Sequence, residues 1–121
     1  MILLVEDDAI SRMDFAQKLR AFDYKVMEAA DGAEAIELLE KHSSSIELVI
    51  TDMVLPKVHG FNLVMNIQAR WPQVPVIMLS AYLSKERGEA IIGHSIDVLE
   101  KPVRPSALIA VVQRHLPHSH S

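Results

Sequence analysis

Glu6, Asp7, Asp52, Ser80 and Lys101 each close or follow a short apolar run, and together they offer three carboxylates, a hydroxyl and an ammonium. Carboxylates crowded together repel, so such a set is tolerable only where a cation or a raised pKa relieves it. Mg²⁺ is the natural cation, because it takes oxygen ligands, dehydrates reluctantly and is usually held by one or two carboxylates plus phosphoryl oxygens. Its candidate ligands are Glu6, Asp7 and Asp52. In that setting Asp52 could attack a phosphorus in line. The metal and the Lys101 ammonium would stabilise the equatorial oxygens, and the Ser80 hydroxyl would donate a hydrogen bond.

This chemistry requires that residues far apart in the chain meet at one place, and the apolar runs supply the means. Ile2–Val5, Leu48–Thr51 and Val74–Leu79 read as strands buried on both faces of a parallel sheet, with Tyr24–Ala29 and Ile96–Leu99 as two further strands. Between them, helical spacing recurs. Ile10, Met13, Ala16 and Leu19, joined by Phe15 and Phe22, predict an amphipathic helix with Asp8 as its cap. Asp31-Gly32 turns the chain into a second helix that runs to about Lys41, and Phe61, Val64, Ile67 and Trp71 mark a third that Pro72 stops. Ser84–Ile92 reads as a weak helix holding Gly88, which costs about 1 kcal/mol relative to Ala in a helix interior. Pro105, Leu108, Ile109, Val112 and Leu116 form the last stripe, with proline tolerated in a first turn.

Strand and helix thus alternate five times, which predicts an α/β fold: a flavodoxin-like, doubly wound, five-stranded parallel sheet of order 2-1-3-4-5 with helices on both faces. Ligands of such sheets bind outside the carboxyl ends of the strands, where Glu6, Asp7, Asp52, Ser80 and Lys101 all fall.

With 121 residues, half of them apolar, the chain has the length and composition of one domain. Residues 1–116 are expected to form it and 117–121 an unstructured tail. The net charge of −4, with no basic stripe, argues against direct contact with nucleic acid. The absence of cysteine excludes disulfides and thiol catalysis. No apolar run reaches the roughly 18 residues of a membrane span, and Met1–Val5 lacks the charged start and length of a signal peptide, so a cytoplasmic location is expected. His115, His118 and His120 read as solubilising tail residues without a role, and Trp71 and Met78 as core.

Ile2-Leu3-Leu4-Val5-Glu6-Asp7-Asp8, Val49-Ile50-Thr51-Asp52-Met53-Val54-Leu55-Pro56 with Gly60, Val76-Ile77-Met78-Leu79-Ser80-Ala81 and Lys101-Pro102 resemble, in order and approximate spacing, the receiver domain of two-component response regulators. The resemblance covers nearly the whole chain. It implies that Asp52 is the phosphoacceptor, that Glu6 and Asp7 hold Mg²⁺ together with the backbone carbonyl of Val54, and that Ser80 and Lys101 bind the phosphoryl group. It also implies a cis peptide at Lys101-Pro102. The implied partners are a histidine kinase or histidine phosphotransfer protein as donor, and an output partner that reads a shift around the fourth predicted helix and fifth strand. Such a domain is a signalling phosphoacceptor with self-catalysed phosphotransfer and autodephosphorylation rather than a turnover enzyme.

The family usually carries an aromatic residue three positions before the lysine, and here that residue is Val98. Without an aromatic rotor, the phosphorylated state is expected to be read through ordering of Ala81–Gly93. The alternative is a degenerate receiver that docks without using phosphate. Two other classes fail on single residues. A dehalogenase-type phosphatase wants a second acid two residues after the nucleophile, where Val54 stands. A cobalamin module wants Asp-x-His-x-x-Gly, whereas His59 directly precedes Gly60.

Hydrolysis of an aspartyl phosphate needs a water in line with the phosphorus, and Val54 and Tyr82 are the expected flanks of that approach. Val54 cannot hydrogen-bond a water, and Tyr82 is bulky enough to cover the phosphoryl group. Val54→Asn is therefore predicted to lose phosphate faster than the parent, and the addition of Tyr82→Glu to accelerate the loss again. Equal decay of the three proteins would show that these residues do not set the lifetime. Each tenfold change corresponds to only about 1.4 kcal/mol of barrier.

Overall fold

Continuous apolar runs form strands here because both faces of the sheet are covered, so every side chain in the run finds a dry neighbour. The computed structural model describes residues 1–53, 55, 60–80 and 96–117, without the side chain of Phe61. The expectations for Val54, Tyr82, the Ser84–Ile92 helix, the Ala81–Gly93 segment, the Phe61 side chain and His118 and His120 lie outside what is described. Along the chain run β1 (Ile2–Val5), α1 (Ala9–Ala21), β2 (Val26–Ala29), α2 (Gly32–His42), β3 (Leu48–Asp52), α3 (Gly60–Arg70), β4 (Val76–Ser80), β5 (Ile96–Glu100) and α4 (Pro105–His115). The strands form one parallel sheet in the order β2-β1-β3-β4-β5, as the alternation of elements predicts.

Alternate strand residues feed two cores, as a period of two requires. Leu3, Val5, Val49, Val76 and Met78 pack with Ala35 and Leu39 of α2 and with Leu63, Val64 and Ile67 of α3. Ile2, Leu4, Leu48, Ile50, Ile77 and Leu79 pack on the other face with Ala16 and Leu19 of α1 and with Leu108, Ile109 and Val112 of α4. Complete burial of one such side chain contributes roughly 1.5–3 kcal/mol, so the two layers fix the strands in register. Trp71 and Met78 are buried, as expected. Among the described residues, no helix is long and apolar enough to cross a membrane.

Helix termini follow the local chemistry. The Asp8 side chain caps α1 by accepting from the Ser11 N–H at 3.2 Å, Asp31 caps α2 by accepting from the Glu34 N–H at 2.8 Å, and Pro105 occupies the first turn of α4. The inward face of α1 differs from the one that hydropathy suggests. Ile10 is 79% and Met13 57% exposed, while Ala16 and Leu19 are buried and Phe15 is half-buried. Burial follows the stripe of residues 12, 15, 16 and 19, which places the polar Arg12 on the side facing the sheet. His115 is likewise not part of a tail: it closes α4, and its Nε2 lies 2.6 Å from Asp97 Oδ2 on β5.

Gly60 opens α3 immediately beside the end of β3, and its N–H donates to the Met53 carbonyl at 2.9 Å. A Cβ at this position would fall 2.2 Å from the Asp52 carbonyl oxygen and 2.6 Å from that of Met53. Both obstacles are backbone, which cannot swing aside as a side chain can. Gly60→Ala is thus expected to destabilise the fold by about 1–3 kcal/mol in urea denaturation, the usual cost of forcing atoms into a packed site. Unchanged stability would mean that α3 withdraws freely from the end of β3.

Candidate functional site

Strand register brings the chemical groups together. Val5 lies opposite Thr51, Asp52 opposite Leu79 and Ser80 opposite Glu100, so the chain leaves each successive strand within one residue of the same edge. Backbone bonds carry the alignment past the ladders. The Glu6 N–H donates to Ala29 O at 3.0 Å, Met53 N–H to Leu79 O at 2.9 Å and Lys101 N–H to Ser80 O at 2.7 Å. Lys101-Pro102 is cis, in agreement with the expectation.

At this edge one carboxylate oxygen from each of Glu6, Asp7 and Asp52 lies within 4.8 Å of the other two. Glu6 and Asp52 are 4% and 5% exposed, so water screens little of their repulsion, while Asp7 faces solvent. Lys101 Nζ donates to Asp52 Oδ2 at 2.6 Å. The Ser80 hydroxyl, itself buried, donates to the thioether of Met53 at 3.2 Å. Asp52 is the last residue of β3 rather than the first beyond it, which gives the carboxylate a rigid base. Val54, whose carbonyl the resemblance assigns to the metal, lies outside the described residues.

Electrostatics mark the cluster as unfinished. Burial, a hydrogen bond to Asp52 and the charges of Asp52 and Asp7 push the Glu6 carboxyl from 4.5 up to about 8, against the opposing pull of Lys101. Burial lowers the Lys101 pKa, but the hydrogen bond and charge of Asp52, with Glu6 and Asp7 behind it, outweigh burial and leave it raised. Glu6 Oε2 is buried without a hydrogen-bond partner among the described residues. A buried, unpaired oxygen beside two other carboxylates fits a hard divalent cation, whose ligands are oxygens.

The sequence matches the response regulator receiver domain family over residues 2–113. This chain belongs to that family. Over 114 residues the receiver is 34% identical to the transcriptional regulatory protein PdtaR of Mycobacterium tuberculosis, covering 93% of this chain and 54% of that protein. It is 30% identical over 118 residues to the transcription factor SKN7 of Chaetomium thermophilum, covering 97% of this chain and 15% of that protein. The crystal structure of the receiver domain from the hybrid histidine kinase CckA superposes with a TM-score of 0.80 at 32% identity, covering 95% of this chain and 97% of that one. The receiver thus spans about half or less of the length of these two curated relatives. Receiver domains of two-component response regulators bind Mg²⁺ at an acidic pocket, and Glu6, Asp7 and Asp52 form the corresponding cluster here.

Sequence reasoning passed over Met53 and Arg12. Met53 gives no signal, since a thioether beside an acid usually packs. Arg12 does give one: Glu28 is the only charged residue within β2, and a charge inside a strand asks for a partner.

With the Glu6 carboxyl pushed up to about 8, the native metal-free receiver is expected to hold a proton on Glu6 over the range above pH 4.5 in which the unfolded chain has released it. The native state then binds more protons, so metal-free stability falls as pH rises through that window. Mg²⁺ bound at this cluster would displace the proton, so its affinity is expected to rise with pH by up to about tenfold per unit. At ten times the dissociation constant, Mg²⁺ adds about 1.4 kcal/mol, a rise in melting temperature of roughly 3–8 °C. Melting curves over this pH range, with and without Mg²⁺, check both signs. Curves that Mg²⁺ leaves unmoved at every pH would dismiss the metal site.

Proposed function

We propose that Asp52 accepts a phosphoryl group from a phosphohistidine donor, a histidine kinase or histidine phosphotransfer protein, in the presence of Mg²⁺. The observation that carries this reading is the 2.6 Å pair between Lys101 and Asp52 beside two further carboxylates. A buried nucleophile, a neutralising ammonium and an oxygen-rich cation site are the parts that phosphoryl transfer requires. An Asp52 oxygen forms the new bond to phosphorus while the phosphorus–nitrogen bond of the donor breaks, and the imidazole leaves with that electron pair. Asp52 ends as a mixed anhydride.

Lys101 takes part by moving its hydrogen bond from Asp52 Oδ2 to a phosphoryl oxygen, which keeps the ammonium paired throughout. Ser80 supplies a second donor as its hydroxyl leaves the Met53 thioether. Glu6, Asp7 and Asp52, with the Val54 carbonyl that the resemblance implies, would hold Mg²⁺, which when bound would supply positive charge for the phosphoryl oxygens. The chain so loaded is a signal carrier that resets by its own hydrolysis. Its output goes to another protein or domain, since a net charge of −4 gives no footprint for nucleic acid, and its place of action is the cytoplasm.

Incubation with acetyl phosphate and Mg²⁺, followed by intact-mass spectrometry, is expected to add one phosphoryl group to the parent chain and none to Asp52→Ala. Failure of the parent to take phosphate from both acetyl phosphate and a phosphohistidine donor would leave a degenerate receiver that acts by docking alone.

A further inference from the structure

Glu6 is held by more than its place after β1. Its N–H donates to Ala29 O at 3.0 Å, and its carbonyl accepts from Arg12 Nη1 at 2.8 Å, so the backbone is held on both sides of the Glu6 Cα. The same guanidinium donates through Nε to Glu28 Oε1 on β2 at 3.3 Å. Glu28 is itself fixed, because its other oxygen lies 3.2 Å from Arg20 Nη1 and Arg20 Nη2 donates to Val26 O at 2.9 Å. A continuous chain of polar contacts thus runs from β2 through Glu28 and Arg12 to the backbone of Glu6.

We propose that Arg12 is a positioning residue for the cation site, holding the Glu6 peptide so that its carboxylate stays beside Asp52 and Asp7 against their mutual repulsion. The inference rests on the reading of this cluster as a Mg²⁺ site. Like charges gathered before their cation arrives push one another apart, and the cheapest relief is for the loop after β1 to turn Glu6 away. Arg12 blocks that movement without touching metal or phosphate. Its planar fork suits the task, since it reaches a backbone carbonyl and a carboxylate at once, which the single ammonium of lysine does not. The groups behind metal ligands commonly govern affinity in this way, their loss weakening binding by about 10–100-fold.

The sign of the effect separates positioning from simple charge. Removal of a cation near three acids would, by Coulomb attraction alone, tighten Mg²⁺ binding. Arg12→Met keeps the apolar stem and is expected instead to weaken it by about tenfold, in calorimetric titration of the metal-free chain with MgCl₂ at one fixed pH for all variants. Arg12→Lys keeps the charge and loses the fork, and is expected to fall between the two. Urea denaturation without metal provides the control, because a merely structural role would lower stability and leave the affinity of the folded fraction alone. Parental or tighter Mg²⁺ binding by Arg12→Met overturns the proposal. Should that variant not fold, parental affinity in Arg12→Lys does so. A parent chain that binds no Mg²⁺ would instead sink the metal reading itself, and the positioning role with it.

Discussion

The Lys101–Asp52 ion pair, 2.6 Å long at the carboxyl edge of the sheet, makes an otherwise repulsive site compatible with a folded chain. At an effective dielectric constant near 20, unit charges about 4 Å apart interact by about 4 kcal/mol. That is a large part of the roughly 5–15 kcal/mol by which a domain is stable. Two buried acids with a third at their side therefore repel one another at a cost the fold must offset. One is neutralised by the ammonium of Lys101, and Glu6 responds by holding its proton to an unusually high pH.

A site under that load needs rigid supports, and the sheet provides them. β3 lies between β1 and β4, buried along its whole length, and it ends on Asp52 itself. β1, β4 and β5 deliver Glu6, Ser80 and Lys101 by register rather than by loop conformation, which is why each is tied by a backbone bond to the adjacent strand or to its continuation. The approach of Gly60 to the carbonyls of Asp52 and Met53 brings α3 against the same edge. Packing on the two faces resists the movement that would let the acids separate.

The unrelieved part of the repulsion is useful to a receiver. A cation or a phosphoryl group that satisfies the cluster binds the native state and not the unfolded one, so the strain of the metal-free site becomes binding free energy. Ser80 shows the same logic on a smaller scale. Its hydroxyl donates to a thioether, a weak acceptor, and a charged phosphoryl oxygen would take that bond at a gain.

The sequence by itself determined the strands and the polar residues that end them, because these rest on local signals: a short apolar run is a strand, and the polar residue that ends it stands at the strand's edge; the strand order followed from the alternation of strand and helix. The tertiary structure alone decided which face α1 turns inward. Ile10 and Met13 favour one arc of the helix by hydropathy, yet Arg12, Phe15, Ala16 and Leu19 define the arc that meets the sheet. The reason is that Arg12 finds acceptors there, at the Glu6 carbonyl just after β1 and at Glu28 on β2. His115 against Asp97 and Ser80 against Met53 belong to the same class. A helix's apolar spacing records how many residues it can bury, but the partner of a polar side chain depends on which distant strand passes beneath it, and no local pattern carries that information.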